Sequence, residues 1–287
     1  MNDRGIAGWA VMPVAHYVGL YGLEHFVLSM TLLKEMTKRS SSEFGSRFFL
    51  LEEPKRTLSV LEKWTCDPSQ HVRRLVSAGT RPCLPWAMRL SDFIKNPAPI
   101  LPLLETIKDD EEEHVLRSVA KNLNDIAKDN PDMVAKIARR WLKGASKDRE
   151  KLVCHACRTL IKQGHQKTLK ALGYGPPRIK LEKLKILTAH VPPGETLLFE
   201  LWLTLTFKKD QPLIIDYAIH HRKANGGTKA KVFKWKKTTL TPLATLKAKR
   251  NHAFKKITTR VYYPGTHKLE ILVNDISLGT KTFKLIM

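Results

Sequence analysis

Residues 72–86, which read VRRLVSAGTRPCLPW, hold side chains well suited to binding chemistry. The first half has the apolar spacing of a helix, and Arg73 and Arg74 beside that apolar face suit an anionic ligand such as phosphate. Two prolines then end the helix and stiffen a turn that closes on Trp86. A loop that only connects helices needs neither the prolines nor an indole. The pattern therefore favours a turn that presents Trp86 to a partner over a tryptophan buried in a core.

A second group of candidate side chains lies in the helical pattern of residues 118–129. Its polar members stand between apolar residues and are Asn122, Asn124, Asp125 and Asp129. A carboxylate in such a cluster suits the stabilisation of a developing positive charge or the orientation of a water molecule. The alternative is a plain polar helix face, and the interleaving with apolar residues favours a functional cluster.

The chain is strongly basic. Its 287 residues carry 50 Lys and Arg against 27 Asp and Glu, a formal net charge of +23, and its pI is near 9.9. This excess favours a polyanionic partner, either nucleic acid or an anionic membrane surface. No run of about 18 apolar residues is present, and the first residues are too polar for a secretory signal. We expect no association with a membrane and a location in the cytoplasm.

Four cysteines are present: Cys66, Cys83, Cys154 and Cys157. The last two have the spacing of a zinc or redox motif, but no second such pair follows and the surrounding residues form an amphipathic helical pattern. Reduced cysteines in the core or at its boundary are therefore favoured over a metal site. We expect no metal and no other cofactor.

From residue 1 to about 175 the apolar residues recur at helical spacing, and Asp-Pro, Asn-Pro and Gly turns cut the pattern into short helices. The segment that begins at His71 aligns with the segment that begins at His114, and a more divergent copy begins at Leu152. Helix pairs that recur at about 40 residues are typical of HEAT-type α-solenoids. Residues 1–175 are predicted to form such an all-α domain.

The spacing of the apolar residues changes from helix-like to strand-like after residue 178. The runs with strand-like composition are 196–207, 213–221, 231–237, 255–263 and 267–274. Their alternation and Gly-containing turns predict an immunoglobulin-like β-sandwich over residues 179–287, without a disulfide because this half has no cysteine. It holds 21 Lys and Arg against 7 Asp and Glu, and the lysines between Phe233 and Trp235 and beyond suit nucleic acid. The DNA-binding candidates there are Lys234, Lys236 and Lys237. A solubilising surface around a core tryptophan is the alternative.

Longer motifs give a resemblance that covers nearly the whole chain. They are residues 71–77, 81–86, 118–129 and 154–162 in the first half and 216–221, 231–236 and 258–263 in the second. In these motifs the chain resembles the alkylpurine DNA glycosylases built from HEAT-like repeats, specifically the AlkC branch and its subgroup with a C-terminal immunoglobulin-like domain.

The resemblance implies hydrolysis of the N-glycosidic bond of cationic alkylated bases in duplex DNA, of the 3-methyladenine, 3-methylcytosine or 1-methyladenine class, without base flipping. Such a base is already a good leaving group, so the remaining difficulty is the positive charge that develops on the sugar. A carboxylate near the sugar stabilises that charge, an aromatic ring adds cation–π attraction, and arginines hold the flanking phosphates. A monomer acting on DNA is expected.

For individual residues the resemblance places catalytic roles on Glu43, Trp86 and Asp125. Glu43 follows three serines, so a carboxylate in the first turn of a helix is its alternative interpretation. The candidates for phosphate contact in the first half, each with a solvated helix face as the alternative, are Arg47, Arg73, Arg74, Arg81, Arg117, Arg158 and Lys162.

The chain departs from the family pattern at two positions. Ala78 stands where the family has a glutamate, and Cys83 stands where it has an arginine. Loss of a preorganised charge costs roughly 100- to 1,000-fold in rate, so weakened activity is expected. A catalytically impaired DNA-binding relative and a HEAT scaffold for acidic proteins remain the alternatives. Family members carry further helices ahead of the point where this chain begins, so the first repeats of the DNA-binding surface are expected to be absent.

Overall fold

The computed structural model describes residues 5–192, 194–255, 258 and 261–286. Helices come first and strands follow, and the chain divides into two compact units, residues 1–161 and 162–287. The α-helices within the described residues are α1 (Val11–Tyr21), α2 (Phe26–Thr37), α3 (Ser46–Glu52), α4 (Pro54–Trp64), α5 (Gln70–Gly79), α6 (Ser91–Lys95), α7 (Leu101–Thr106), α8 (Glu113–Asp129), α9 (Pro131–Trp141), α10 (Lys147–Ala156), α11 (Arg158–Lys162) and α12 (Gln166–Ala171). No described helix is long and apolar enough to cross a bilayer.

Helices α5, α8 and α10 stack on one another, and the two histidines that the predicted repeat aligns touch. The rings of His71 and His114 meet edge to face with centroids 6.0 Å apart. The hydroxyl of Ser77 on α5 donates to that of Ser118 on α8 over 2.7 Å. These contacts confirm the HEAT-like repeat that the sequence predicts for this half.

The asparagines of the predicted polar cluster hold the stack together, which corrects their reading as functional residues. Asn122 donates to the Ser77 carbonyl and the Thr80 hydroxyl, at 2.8 and 3.0 Å. Asn124 donates to the carbonyl of Ala156, next along the stack, at 2.8 Å. Both side chains are buried. Buried amides with partners on neighbouring helices fix the register of the stack.

The second unit is built from two sheets. The strands are β1 (Ile179–Ile186), β2 (His190–Val191), β3 (Thr196–Leu205), β4 (Gln211–Arg222), β5 (Thr228–Leu240), β6 (Thr245–Ala253), β7 (Gly265–Val273) and β8 (Ile276–Leu285). One sheet has the order β1-β3-β6 and the other β2-β8-β7-β4-β5. The strand predicted over residues 255–263 falls largely outside the described residues. Sequence analysis missed β1, β2, β6 and β8.

One apolar core joins the two sheets. Strand β3 alternates buried and partly exposed residues along nearly its whole length, so that its leucines and Phe199 point to the inner face. Phe199 packs edge to face against Tyr217 of β4 and Trp235 of β5, each at 5.3 Å between centroids. The multidomain fold class, an all-α repeat region followed by an immunoglobulin-like sandwich, is confirmed.

A buried histidine makes this second unit sensitive to acid. His267 on β7 is 1% exposed, its ring stacks on Phe283, and its Nε2 lies 3.0 Å from the Tyr263 carbonyl. Burial lowers the pKa of His267, and the charge of Arg222 lowers it further. The folded protein therefore keeps this ring neutral while the unfolded chain protonates it near pH 6.5. Stability is full above that pH and falls as the pH drops towards the lowered pKa.

Substitution His267→Phe is expected to weaken this acid response. Hydrogen exchange of the β4 and β7 amides between pH 7.5 and 5.5 measures local opening, after correction for the intrinsic exchange rate. In the wild type the opening free energy should fall by up to about 1.4 kcal/mol per pH unit below pH 6.5. An equally steep fall in the variant would assign the acid response to other groups.

Candidate nucleic-acid interface and catalytic cluster

Trp86 is held on the surface by a tight turn that follows α5. Its side chain is 91% exposed, and its backbone lies in the left-handed region with φ of 63°. This conformation costs a non-glycine residue about 1–3 kcal/mol and persists only where the surroundings enforce it. The Leu90 amide donates to the Pro82 carbonyl and closes the turn over 3.1 Å. The strained, exposed presentation is the one that the two prolines predict.

Arg47 fixes both ends of this turn from inside, which corrects its prediction as a phosphate contact. The side chain is 0% exposed. Its guanidinium donates to the carbonyls of Gly79 and Arg81 at 2.9 and 2.8 Å, and its Nε donates to the Met88 carbonyl at 2.7 Å. Burial and the neighbouring charge of Arg81 lower the pKa of Arg47 to about 10. A fully enclosed guanidinium with three carbonyl partners positions the Trp86 turn and cannot reach DNA.

Asp125 lies on α8 at the edge of the same turn. Its side chain is only 4% exposed, and the Nε of Arg81 donates to one carboxylate oxygen at 2.7 Å while the ammonium of Lys128 lies 2.8 Å from the other. A folded protein tolerates a carboxylate as buried as this one only when cationic partners of this kind compensate its charge. The pair with Arg81 links the proposed catalytic carboxylate directly to the residue that begins the Trp86 turn.

Glu43 is the second proposed catalytic carboxylate. It accepts from the Ser41 hydroxyl at 3.1 Å and pairs with the Nη2 of Arg74 on α5 at 3.3 Å. Arg74 also donates to the Ser41 hydroxyl, at 2.9 Å. Arg74 lies on α5, and Arg81 lies two residues beyond the end of that helix at Gly79. Helix α5 and the turn after it thus set one arginine beside each proposed catalytic carboxylate.

Ala78 occupies the helix position between those two arginines. It follows Arg74 by four residues, so the two share a face of α5, and it precedes Arg81 in the turn after the helix by three. The side chain is 2% exposed, and a methyl group supplies neither a charge nor a hydrogen bond. Within the described residues, the site therefore contains two carboxylates, both paired with arginine, and no third at its centre.

Sequence reasoning missed Lys121, which lies within the same cluster. It stands one turn before Asp125 on α8 and is half-buried. Burial, followed by the charges of Arg81, Arg117 and Arg74, lowers the pKa of Lys121, and Glu43 acts weakly in the opposite direction. The available signal was its i, i+4 spacing to Asp125, which places both side chains on one helix face.

Arg73 is turned away from this cluster, which corrects its prediction as a phosphate contact. Its Nε and Nη2 donate to the two carboxylate oxygens of Asp110 at 2.6 and 3.0 Å, and its Nη1 donates to the Asp67 carbonyl at 2.9 Å. The Asp110 side chain is buried. A bidentate pair of this kind joins the start of α5 to the acidic turn before α8 and uses most of the guanidinium's donors.

Three other predicted phosphate contacts, Arg117, Arg158 and Lys162, are exposed. Arg117 and His155 line a surface cleft of about 530 Å³. Burial lowers the pKa of His155, so near neutral pH the arginine carries the local positive charge. Arg158 remains oriented by the Asn124 amide oxygen, which accepts from its Nε at 3.1 Å. Contact of these residues with phosphate stays a prediction.

In the second unit the aromatic ring of Phe233 packs on the core, whereas the lysines near it in sequence are exposed. Phe233 stacks on Tyr217 of the core with 5.3 Å between ring centroids. The lysines predicted to bind DNA, Lys234, Lys236 and Lys237, are exposed on β5, an edge strand.

Sequence analysis missed Trp202, which lies on the outer face of β3. The ammonium groups of Lys183 and Lys247 lie 4.5 and 4.4 Å from its ring centroid. The alternation of β3 places Trp202 outward, and that signal was available in the sequence.

The cysteine pair of α10 and its C-terminal cap offers little for a metal. Cys154 is exposed and Cys157 is buried. Burial raises the pKa of the Cys157 thiol to about 12, which disfavours the thiolate that a metal requires. Among the described residues no group of three or more metal-ligating side chains is found.

Similarity to known proteins agrees with this architecture. Residues 180–287 match a family described as "Uncharacterised protein YhaZ, C-terminal Ig-like domain". The chain is 38% identical over 259 residues to "Uncharacterized protein YhaZ" of Bacillus subtilis (strain 168), covering 90% of this chain and 72% of that protein. It is also similar to the solved structure of Pseudomonas fluorescens alkylpurine DNA glycosylase AlkC bound to DNA containing an abasic site analog. That match has a TM-score of 0.85 and 38% identity and covers 95% of this chain and 76% of that chain.

The fold defines a class of helical-repeat proteins that carry an immunoglobulin-like domain. With 38% identity to each of these two relatives over most of their length, the chain belongs to the AlkC family of alkylpurine DNA glycosylases. The resemblance found in the sequence motifs is confirmed.

Replacement of Trp86 by glycine separates a binding role from a packing role. Glycine tolerates the left-handed conformation without strain but adds freedom to the unfolded chain. We expect the free energy of unfolding to change by less than about 1 kcal/mol. Loss of the ring should weaken DNA binding or base release by roughly 10- to 100-fold, corresponding to 1–3 kcal/mol. Denaturant unfolding and duplex titration measure the two effects.

The same experiment distinguishes the alternative in which Trp86 is a core residue. Loss of a core tryptophan would cost about 3–5 kcal/mol of stability. A loss of that size, or unchanged function with unchanged stability, would contradict the presentation of Trp86 to DNA.

Proposed function

We propose that the chain is a DNA repair glycosylase that hydrolyses the N-glycosidic bond of cationic alkylated bases, of the 3-methyladenine, 3-methylcytosine or 1-methyladenine class, in duplex DNA. One observation supports the proposal most directly. The indole of Trp86 is exposed on a turn fixed by hydrogen bonds, and Arg81, the first residue of that turn, donates a hydrogen bond to the buried carboxylate of Asp125. A glycosylase of the same family has been solved with DNA containing an abasic site analog.

In the proposed reaction Trp86 packs against the damaged nucleotide at the duplex surface, so the base need not enter a deep pocket. Asp125 and Glu43 stabilise the positive charge that develops on the sugar and orient the attacking water. Each carboxylate is paired with an arginine in the free protein. Approach of a phosphate to Arg74 or Arg81 supplies a competing anion and frees part of the carboxylate charge for the sugar.

A second candidate function is supported by Ala78. Because the centre of the site lacks a third carboxylate and both carboxylates present are neutralised by arginine, a DNA-binding relative with impaired catalysis also fits the geometry. Such a protein would hold duplex DNA through its arginines and Trp86 without releasing a base. The basic second unit, with Lys234, Lys236 and Lys237 exposed, would contribute to either function.

Two measurements on the full chain separate these functions from a scaffold for acidic proteins. The first is binding to duplex DNA between 50 and 200 mM salt, for which the proposal expects a fall of about 10³- to 10⁵-fold if six to ten phosphates are contacted. The second is the release of free base from methylated duplex DNA. Binding with a steep salt dependence but without release would select the impaired relative. Equal affinity for acidic proteins and a flat salt dependence would select the scaffold.

A further inference from the structure

The two proposed catalytic carboxylates differ in the partners that hold them. Asp125 has a cation at each carboxylate oxygen, at 2.7 and 2.8 Å. Glu43 has one cation, Arg74, and the hydroxyl of Ser41, and both contacts fall on its Oε2, at 3.3 and 3.1 Å. Among the described residues, none donates a hydrogen bond to its other oxygen, Oε1. Glu43 therefore depends on a neutral hydroxyl where Asp125 has a second cation.

The hydroxyl of Ser41 contacts both members of this ion pair. It donates to Oε2 of Glu43 and accepts from Nη1 of Arg74, the latter over 2.9 Å. Because a hydroxyl has one donor and separate acceptor lone pairs, departure of the arginine would break the second bond and leave the first. A neutral donor orients a carboxylate without cancelling its charge, whereas a cation does both.

The backbone on either side of Ser41 is fixed by hydrogen bonds to the end of α2. The Ser40 amide donates to the Met36 carbonyl at 3.0 Å. The Ser42 amide donates to the Thr37 hydroxyl at 3.3 Å, and both of these side chains are buried. A donor supported on both sides in this way holds its partner in a defined orientation.

A surface cleft of about 290 Å³ opens beside the ion pair. Ser41 and Arg74 line it together with the cations Lys38 and Arg39. Their positive charges favour an anion, and in a DNA-binding protein that anion is a backbone phosphate. The cleft therefore offers Arg74 a phosphate as an alternative partner to the carboxylate of Glu43, while Ser41 keeps its place.

We propose that Ser41 is a positioning residue, whose hydroxyl holds Oε2 of Glu43 once Arg74 has turned to a phosphate. The uncancelled charge of the carboxylate then faces the sugar through Oε1. This role deepens the proposed function and rests on it, because it concerns the stabilisation of the positive charge on the sugar. It also explains how the weaker-held carboxylate keeps its orientation when its cation leaves.

The test compares the affinity of the full chain for two duplexes that differ at one sugar. One carries a neutral tetrahydrofuran and the other a cationic pyrrolidine, so the ratio of affinities measures attraction to a positive sugar without any base release. We expect the wild type to prefer the pyrrolidine duplex by at least about tenfold. Ser41→Ala should reduce that preference by about three- to tenfold and change affinity for the tetrahydrofuran duplex by less than about twofold. Ser41→Thr keeps a hydroxyl and should keep the preference.

A double-mutant cycle shows whether Ser41 acts through the carboxylate. In a Glu43→Gln background, Ser41→Ala should cause no further loss of preference, because the charge that the hydroxyl orients is already gone. Ser59→Ala, the same change on the exposed face of α4, is the matched control and should bind both duplexes like the wild type.

Four results would overturn the proposal: no preference in the wild type, an unchanged preference in Ser41→Ala, an equal loss for both duplexes, or a further loss in the Glu43→Gln background. An equal loss for both duplexes would assign Ser41 a structural role. If the preference responds as expected but methylated base is not released, the result would count against the proposed glycosylase and support the positioning role of Ser41.

Discussion

Substitution Asp125→Asn is expected to slow the release of methylated base by roughly 100- to 1,000-fold, the loss typical when one preorganised electrostatic group is removed. Asparagine keeps the size of the side chain and one oxygen for Arg81, but it removes the negative charge that opposes the developing sugar cation. The measurement is single-turnover base release with the protein in excess over DNA. Circular dichroism and denaturant unfolding must accompany it, because Asp125 is buried between two cations.

Asp129→Asn is the matched control, since it makes the same change one helix turn further along α8 at an exposed position. It should leave base release unaltered. If Asp125→Asn released base as fast as the wild type, the carboxylate would have a structural role only. If both variants slowed release equally, the effect would come from net charge and not from the site.

Substitution Ala78→Glu is expected to raise base release by up to about 100- to 1,000-fold, because it restores a carboxylate at the centre of the cluster. The new side chain would lie one helix turn after Arg74 and three residues before Arg81, and these two cations favour its ionised form. The position is 2% exposed, so the larger side chain must displace neighbours at a cost of about 1–3 kcal/mol of stability.

Ala78→Gln separates charge from volume. Glutamine has the same shape as glutamate and the same packing cost but no charge, so it should not accelerate base release. An equal gain in both variants would trace the effect to packing. No gain in Ala78→Glu, with folding intact, would show that two carboxylates suffice and that the alanine does not limit the reaction.

The sequence predicted the elements with strong periodicity and the presentation of Trp86. A helix of 17 residues such as α8 repeats its apolar spacing often enough to be recognised, and alternation identifies β3 because one face is buried. The two prolines around the turn after α5 restrict the backbone locally, so the consequence for Trp86 was readable without tertiary information.

The roles of individual cations could not be read in the same way. Arg73 and Arg74 are adjacent and chemically identical, yet one pairs with Asp110 and the other with Glu43, because successive helix residues point about 100° apart towards different neighbours. Arg47 looked like a phosphate contact since nothing local shows that three carbonyls from residues 79–88 enclose it. Such assignments depend on which loop packs over a side chain, and that information is not local.

We propose that the turn carrying Trp86 and the carboxylate of Asp125 form a site for excision of alkylated bases. Its most direct test is the single-turnover release of free 3-methyladenine from methylated duplex DNA by the wild type, Asp125→Asn and Trp86→Gly. We expect release above background by the wild type and a marked loss in both variants, with folding retained. Duplex binding without release above background by the wild type would contradict it.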